Sequence, residues 1–128
     1  MPAWDEYKTI ARQRGALAFE LYAVESTPAV EPPKLQEVLP DHLAYQKEME
    51  AQGRLFLAGP LSDPTGELME GCGLIIYRAT SMNEAHELAE NDPMHKRGAR
   101  TFVLRKWLIN EGALNFSIAL SQQKATPS

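Results

Sequence analysis

Two ionisable residues stand where helical spacing calls for apolar ones. Leu39, His42, Tyr45 and Met49 follow one another at helical intervals and line one side of a predicted helix. Ala85, Leu88 and Ala89 form the buried stripe of a second predicted helix, and extending that stripe reaches Asp92. A carboxylate that accepts from one imidazole nitrogen fixes the tautomer and raises basicity. The other nitrogen is then free to take a proton. Burial alone lowers a histidine pKa, so the acid partner matters for keeping it near neutrality. His42 and Asp92 are therefore the candidate general acid–base pair. The plainer reading makes His42 a satisfied histidine near a helix start and Asp92 a cap for the turn at Pro93. The pattern leaves both open. His95, Lys96, Arg97 and Arg100 add a small basic cluster, which as a group suits an anionic or phenolate-bearing ligand.

Other chemistries have less to draw on. The three histidines, His42, His86 and His95, form no H-x-x-x-H pair. A zinc site wants three or four ligands, so no metal is expected. Cys72 is the only cysteine, which excludes an intrachain disulfide. It lies between Gly71 and Gly73 and reads as a small core residue of a strand. Ser62 lacks the G-x-S-x-G context of an activated serine. Neither Gly59-Pro60-Leu61 nor Gly71-Cys72-Gly73 has the spacing or the lysine of a phosphate loop. Their glycines instead let backbone pass close to a ligand or a neighbouring strand.

The pair needs two helices on one layer, and the chain provides for that. Trp4, Tyr7 and Ala11 mark an amphipathic N-terminal helix, stopped by Gly15. Residues 16–24 read as a strand, with Leu17, Phe19, Leu21 and Ala23 on one face. Three prolines between Thr27 and Pro33 then predict a loop. Pro40 and Asp41 open the first main helix, which Gly53 ends. Strands follow over residues 54–59 and 71–79, joined by a turn-rich connection. Ser81 and Glu84 have capping-box spacing at the start of the next helix. Residues 100–109 are the fourth strand. Residues 114–120 suggest a short fifth, and 121–128 a frayed tail.

The order β-α-β-β-α-β predicts an α+β class, ferredoxin-like, with an antiparallel sheet and both helices on one face. The domain is expected over residues 16–109, with a helical arm over 1–15 and a strand and tail over 110–128. Strands apolar on both faces predict a homodimer packed sheet to sheet.

With 44% apolar and 23% charged residues, the chain is of ordinary globular composition. A net charge of −4 argues against nucleic acid and against an anionic membrane. The third strand also lacks the stacking aromatics of RNA-recognition domains of the same topology. The N-terminus has no signal-peptide pattern, and no apolar run spans a bilayer. A cytoplasmic location is the simplest expectation.

Several motifs together resemble the YCII-related (YciI-like) family: His42-Leu43, the run from Gly53 to Leu61, Ser81 to Ala85, and Asp92-Pro93 with Gly98 and Trp107. The resemblance covers roughly residues 16–108. It implies a dimeric α+β barrel and an active-site pair in the H-L and D-P motifs, here His42 and Asp92. One branch of that family resembles dehydrochlorinases acting on chlorinated hydroxyquinols. Asp41 stands where many members carry a basic residue, and Met94 where an aromatic is frequent. The expected function is a small cofactor-independent enzyme for elimination or isomerisation of a small, aromatic or oxygenated molecule. Substrate contacts are expected from Tyr45, Gly59, Pro60, Leu61, His95 and Arg97. The rival readings are a non-catalytic ligand-binding or interaction domain and an oxygen-using monooxygenase.

Overall fold

The computed structural model describes residues 1–128. The chain divides into two compact units, residues 20–107 and the two termini, 1–19 with 108–128. The elements in chain order are α1 (Trp4–Gln13), β1 (Phe19–Pro28), α2 (Pro32–Ala51), β2 (Leu55–Pro60), β3 (Gly73–Tyr77), α3 (Met82–Glu90), α4 (Pro93–Lys96), β4 (Arg100–Ile109), β5 (Phe116–Ala119) and β6 (Lys124–Pro127). No helix is long and apolar enough to cross a membrane.

The main sheet has the order β2-β3-β1-β4, and β3 runs antiparallel to both β1 and β2. This is the ferredoxin-like arrangement that the element order predicts. Tyr22 and Val24 of β1 and Ile75 and Tyr77 of β3 point to the helices. They pack with Met49 of α2 and with Ala85, Leu88 and Ala89 of α3. So β1 turns its Tyr22 side into this core, while Leu21, on the other face of the strand, is also buried.

Four expectations are corrected. First, α2 begins at Pro32, not at Pro40, and runs for 20 residues with Pro40 inside it. Pro32 and Pro33 occupy its first turn, where a missing N–H costs nothing and the fixed φ is already helical. The added turns bury Val38 against Met94 and Ala99, with Leu35 beside them. That packing offsets the hydrogen bond Pro40 cannot make. Second, β1 starts at Phe19 and continues to Pro28, through residues read as loop. Ala18, at φ 51°, is the break before it. Third, the tail is no frayed end: β5 and β6 pair as an antiparallel hairpin, Phe116 against Pro127 and Ala119 against Lys124. Cys72 lies in the connection before β3 and is partly exposed, rather than being a core residue of the strand.

The α3 start follows its sequence only in part. Ser81 Oγ accepts the Glu84 N–H at 3.1 Å. The Glu84 carboxylate instead accepts from Thr80 Oγ1 at 2.5 Å and pairs with Arg54. At the other end, Gly53 adopts φ 74° after α2, the left-handed cap its position predicts.

A polar network holds the turn after α3 against the sheet. His95 Nδ1–H donates to the Ala89 carbonyl at 2.7 Å. Its Nε2 lies 2.8 Å from Ser26 Oγ, which also accepts from Arg100 Nε at 2.7 Å. With the ring neutral and its hydrogen on Nδ1, Nε2 is a lone pair and the Ser26 hydroxyl donates to it. Burial, the larger cause, and nearby Arg100 lower the His95 pKa, against the opposing pull of the Ala89 carbonyl. The native state therefore prefers neutral His95, and unfolding takes up a proton once pH falls below about 6.5. Stability is full above that pH and is lost progressively below it. Chemical denaturation between pH 7 and 5 should show a shallower pH dependence in His95→Gln than in the wild type. The slopes should differ by up to ~1.4 kcal/mol per pH unit. Equal slopes would remove His95 from the acid response.

Candidate functional site

Asp92 sits where the helical layer breaks. Continuing α3 would bring Pro93 into its interior, so the chain stops at Asn91 and restarts at Pro93 as α4. Asp92 is the N-cap of this short helix, and its Oδ1 accepts the Met94 N–H at 3.0 Å. The plain capping role and the acid–base candidacy thus fall on the same carboxylate. It is completely buried, 0% exposed, and such a charge is tolerated only when fully hydrogen-bonded.

His42 supplies the other donor. Its Nδ1 lies 2.8 Å from both Asp92 oxygens, across 50 residues of sequence. A carboxylate is acceptor-only when ionised, so Nδ1 carries the hydrogen. In the neutral ring Nε2 is then the free lone pair. The imidazole is 16% exposed, so this nitrogen belongs to a side chain that solvent can reach. The arrangement is a buried acid orienting a partly open base.

Asp41 leaves His42 alone. It pairs with Arg97 Nη2 at 2.6 Å, so the acid preceding the histidine is neutralised by the basic cluster. Arg97 is thereby tied across from α4 to α2. His95 is spent on Ala89 and Ser26, as described above.

Two phenols lie close to the pair. Tyr45 Oη–H donates to the Leu88 carbonyl at 2.7 Å. Burial, reinforced by the Asp92 charge, pushes its pKa up to about 12, so the proton stays on. Tyr77 is fully buried and its hydroxyl has no protein partner. Burial, and then the fields of Tyr45 and Asp92, push it further up still. The sequence pattern singles out neither Tyr77, inside the third strand, nor Ser26, in the proline-rich loop. A tyrosine on the helix side of a central strand was the available signal for the first. Nothing local marked the second.

Gly59 and Pro60 pair with Leu74 and Gly73 along the β2–β3 ladder, and the Leu61 N–H continues it to the Cys72 carbonyl. The three are exposed. They line neither of two surface grooves. One groove, between α3 and β4, has a volume of about 640 Å³. The other, between α2 and β2, has about 420 Å³. His95 lines the first; His42, Asp92, Tyr45 and Arg97 line neither. No three His, Cys, Asp or Glu side chains converge on a point that could hold a metal ion.

Known proteins resemble this chain in sequence and fold. Residues 18–107 match the YCII-related domain. The uncharacterized protein YjpA of Bacillus subtilis (strain 168) is 29% identical over 76 residues, 59% of this chain and 82% of YjpA. A solved structure of 5-chloro-2-hydroxyhydroquinone dehydrochlorinase (TftG) from Burkholderia phenoliruptrix AC1100, in complex with 2,5-dihydroxybenzoquinone, is also similar. It superposes with a TM-score of 0.50 at 25% identity, covering 68% of this chain and 92% of that one. With the domain match extending over most of its length, the chain belongs to the YCII-related family.

Proposed function

We propose that the chain is a small acid–base enzyme that eliminates or isomerises a small oxygenated, aromatic or quinone-like molecule. One observation carries this reading. A fully buried carboxylate holds the Nδ1 side of a partly exposed imidazole, leaving Nε2 as the proton acceptor. The dehydrochlorinase name of the similar structure supports elimination as the reaction class.

The chemistry needs only proton transfer. Nε2 of His42 takes a proton from a substrate carbon beside a carbonyl, and Asp92 stabilises the imidazolium that forms. In elimination the C–H electron pair becomes a C=C bond, and the leaving group departs from the adjacent carbon with its bonding pair. In isomerisation the imidazolium returns its proton at a different carbon. Tyr45, Gly59, Pro60, Leu61, His95 and Arg97 are proposed to shape the substrate's surroundings. For Tyr45 and Arg97 this acts through hydrogen bonds that tie α2 to α3 and to the end of α4, and for His95 through those that hold the turn to α3 and β1.

A second copy completes the proposal. Leu57, Val103 and Trp107 are large apolar residues exposed on the sheet. Leu57 pairs with Ile76, and Val103 and Trp107 alternate with Phe102 and Leu104, which pack on the helical core. All three thus lie on the side away from α2 and α3. A homodimer packed sheet to sheet, closing a dimeric α+β barrel, would cover them.

One observation favours the non-catalytic alternative. Neither large groove is lined by His42 or Asp92, so the pair is also suited to locking α2 onto the α3–α4 turn. Mutation separates the two. Chlorinated hydroquinones, including 5-chloro-2-hydroxyhydroquinone, are assayed by chloride release. For a compound that the wild type turns over, His42→Ala should lower kcat by ~10²–10⁴-fold with the fold retained. Wild-type turnover that persists in His42→Ala would sink the catalytic role. Asp92→Ala should also cost about 1–3 kcal/mol in denaturant unfolding, because it orphans the His42 and Met94 N–H groups. Finally, Trp107→Glu should shift the sedimentation coefficient from dimer to monomer. A wild type that already sediments as a monomer refutes the sheet-to-sheet assembly.

A further inference from the structure

The groove between α3 and β4 holds an arginine whose charge has no acidic partner. Arg100 is half-buried, and all its protein acceptors are neutral oxygens. Nε donates to Ser26 Oγ at 2.7 Å; Nη2 donates to the Ser26 carbonyl at 2.8 Å and to the Gly71 carbonyl. The carboxylate whose field reaches it, Asp92, is turned to His42 and to the Met94 N–H. Nη1 has no protein acceptor. A partly desolvated guanidinium normally faces a carboxylate or phosphate, because its planar fork matches theirs. Here three protein oxygens fix the guanidinium's plane but leave its charge unanswered.

The rest of the groove is built for a flat ring. Phe102 comes up from β4 between two imidazoles, with ring centroids 5.5 Å from His86 and 4.7 Å from His95. Met82 and Leu104 extend the apolar surface, and Asn83 and Thr101 add polar groups at the wall. Glu90 holds Nδ1 of His86 at 3.3 Å, outside the lining, which leaves the other imidazole nitrogen of that half-exposed side chain available. A volume of about 640 Å³ suits a one- or two-ring molecule.

We infer that this groove is a binding site for a small aromatic carboxylate, its ring against Phe102 and its carboxylate on the guanidinium of Arg100. The site is separate from the His42–Asp92 pair and does not depend on that pair being catalytic. A ligand seated there would also touch His95, and so the network that holds the α3–α4 turn.

The test is titration of the full chain with benzoate, followed by amide chemical shifts and calorimetry, with neutral benzamide as the control. Benzoate should bind at least about tenfold more tightly than benzamide, since a hydrogen bond to a charged partner is worth that much. Its shift changes should centre on residues 82–86 and 98–104. Arg100→Gln should erase the preference for the anion. Should Arg100→Gln fail to fold, Met82→Trp, on the exposed rim, should block the groove and weaken benzoate by a similar factor. His42→Ala should leave benzoate affinity unchanged. Equal binding of benzoate and benzamide, no measurable binding of either, or shift changes centred on His42 would overturn the site. So would full benzoate affinity in folded Arg100→Gln or in Met82→Trp.

Discussion

Everything around the helical layer answers to one buried charge. Asp92 is wholly removed from water, and an ionised carboxylate in that position is sustained only by donors aimed at it. One donor is local and the other comes from 50 residues away. The Met94 N–H exists because Pro93 ends one helix and opens another. The His42 Nδ1–H arrives because α2 extends back to Pro32 and packs Val38 against the same turn. The α3–α4 break, the length of α2 and the direction of the imidazole are three parts of a single solution. A catalytic base and a structural clasp would be built identically up to this point. They differ only in what reaches Nε2.

Beside that charge lies a second hub of opposite sign. Arg100, Ser26, His95 and the Ala89 carbonyl form a directed line of hydrogen bonds from β4 through β1 to the end of α3. His95 lies three residues beyond Asp92, so one short helix is pinned from both sides. On the acidic side the His42 imidazole is partly open to solvent. On the basic side Arg100 lines the groove between α3 and β4. Asp41 and Arg97 form an outer pair on the same two helices, which removes the charge that would otherwise compete for His42.

The fold was legible because its signals were local. The capping serine Ser81, the left-handed Gly53 and the alternation of Phe102 and Leu104 each act within a few residues. The facing of His42 and Asp92 was legible for the same reason, as departures from two apolar stripes. What escaped depended on distant contacts. Prolines 32 and 33 break a chain or begin a helix equally well, and Leu35 and Val38 decide between these only by meeting Met94 and Ala99. Ser26 looks like turn punctuation until Arg100, far along the chain, bonds to both its hydroxyl and its carbonyl. The hairpin of β5 and β6 has alternating residues too short in span to separate from a loose tail.

The sequence distances of these bonds carry a temporal consequence. His42 reaches Asp92 across 50 residues, Ser26 reaches His95 across 69, and Arg100 closes on Ser26 across 74. Contacts so far apart incur their loop-closure entropy before they repay it, which places them late in folding. During synthesis three helices and three strands emerge before the groups that complete this corner. Asp92 must wait, unshielded by the fold, until the chain beyond it has been made and β4 has found the edge of the sheet. The corner built around Asp92 thus depends on the last main strand of the domain.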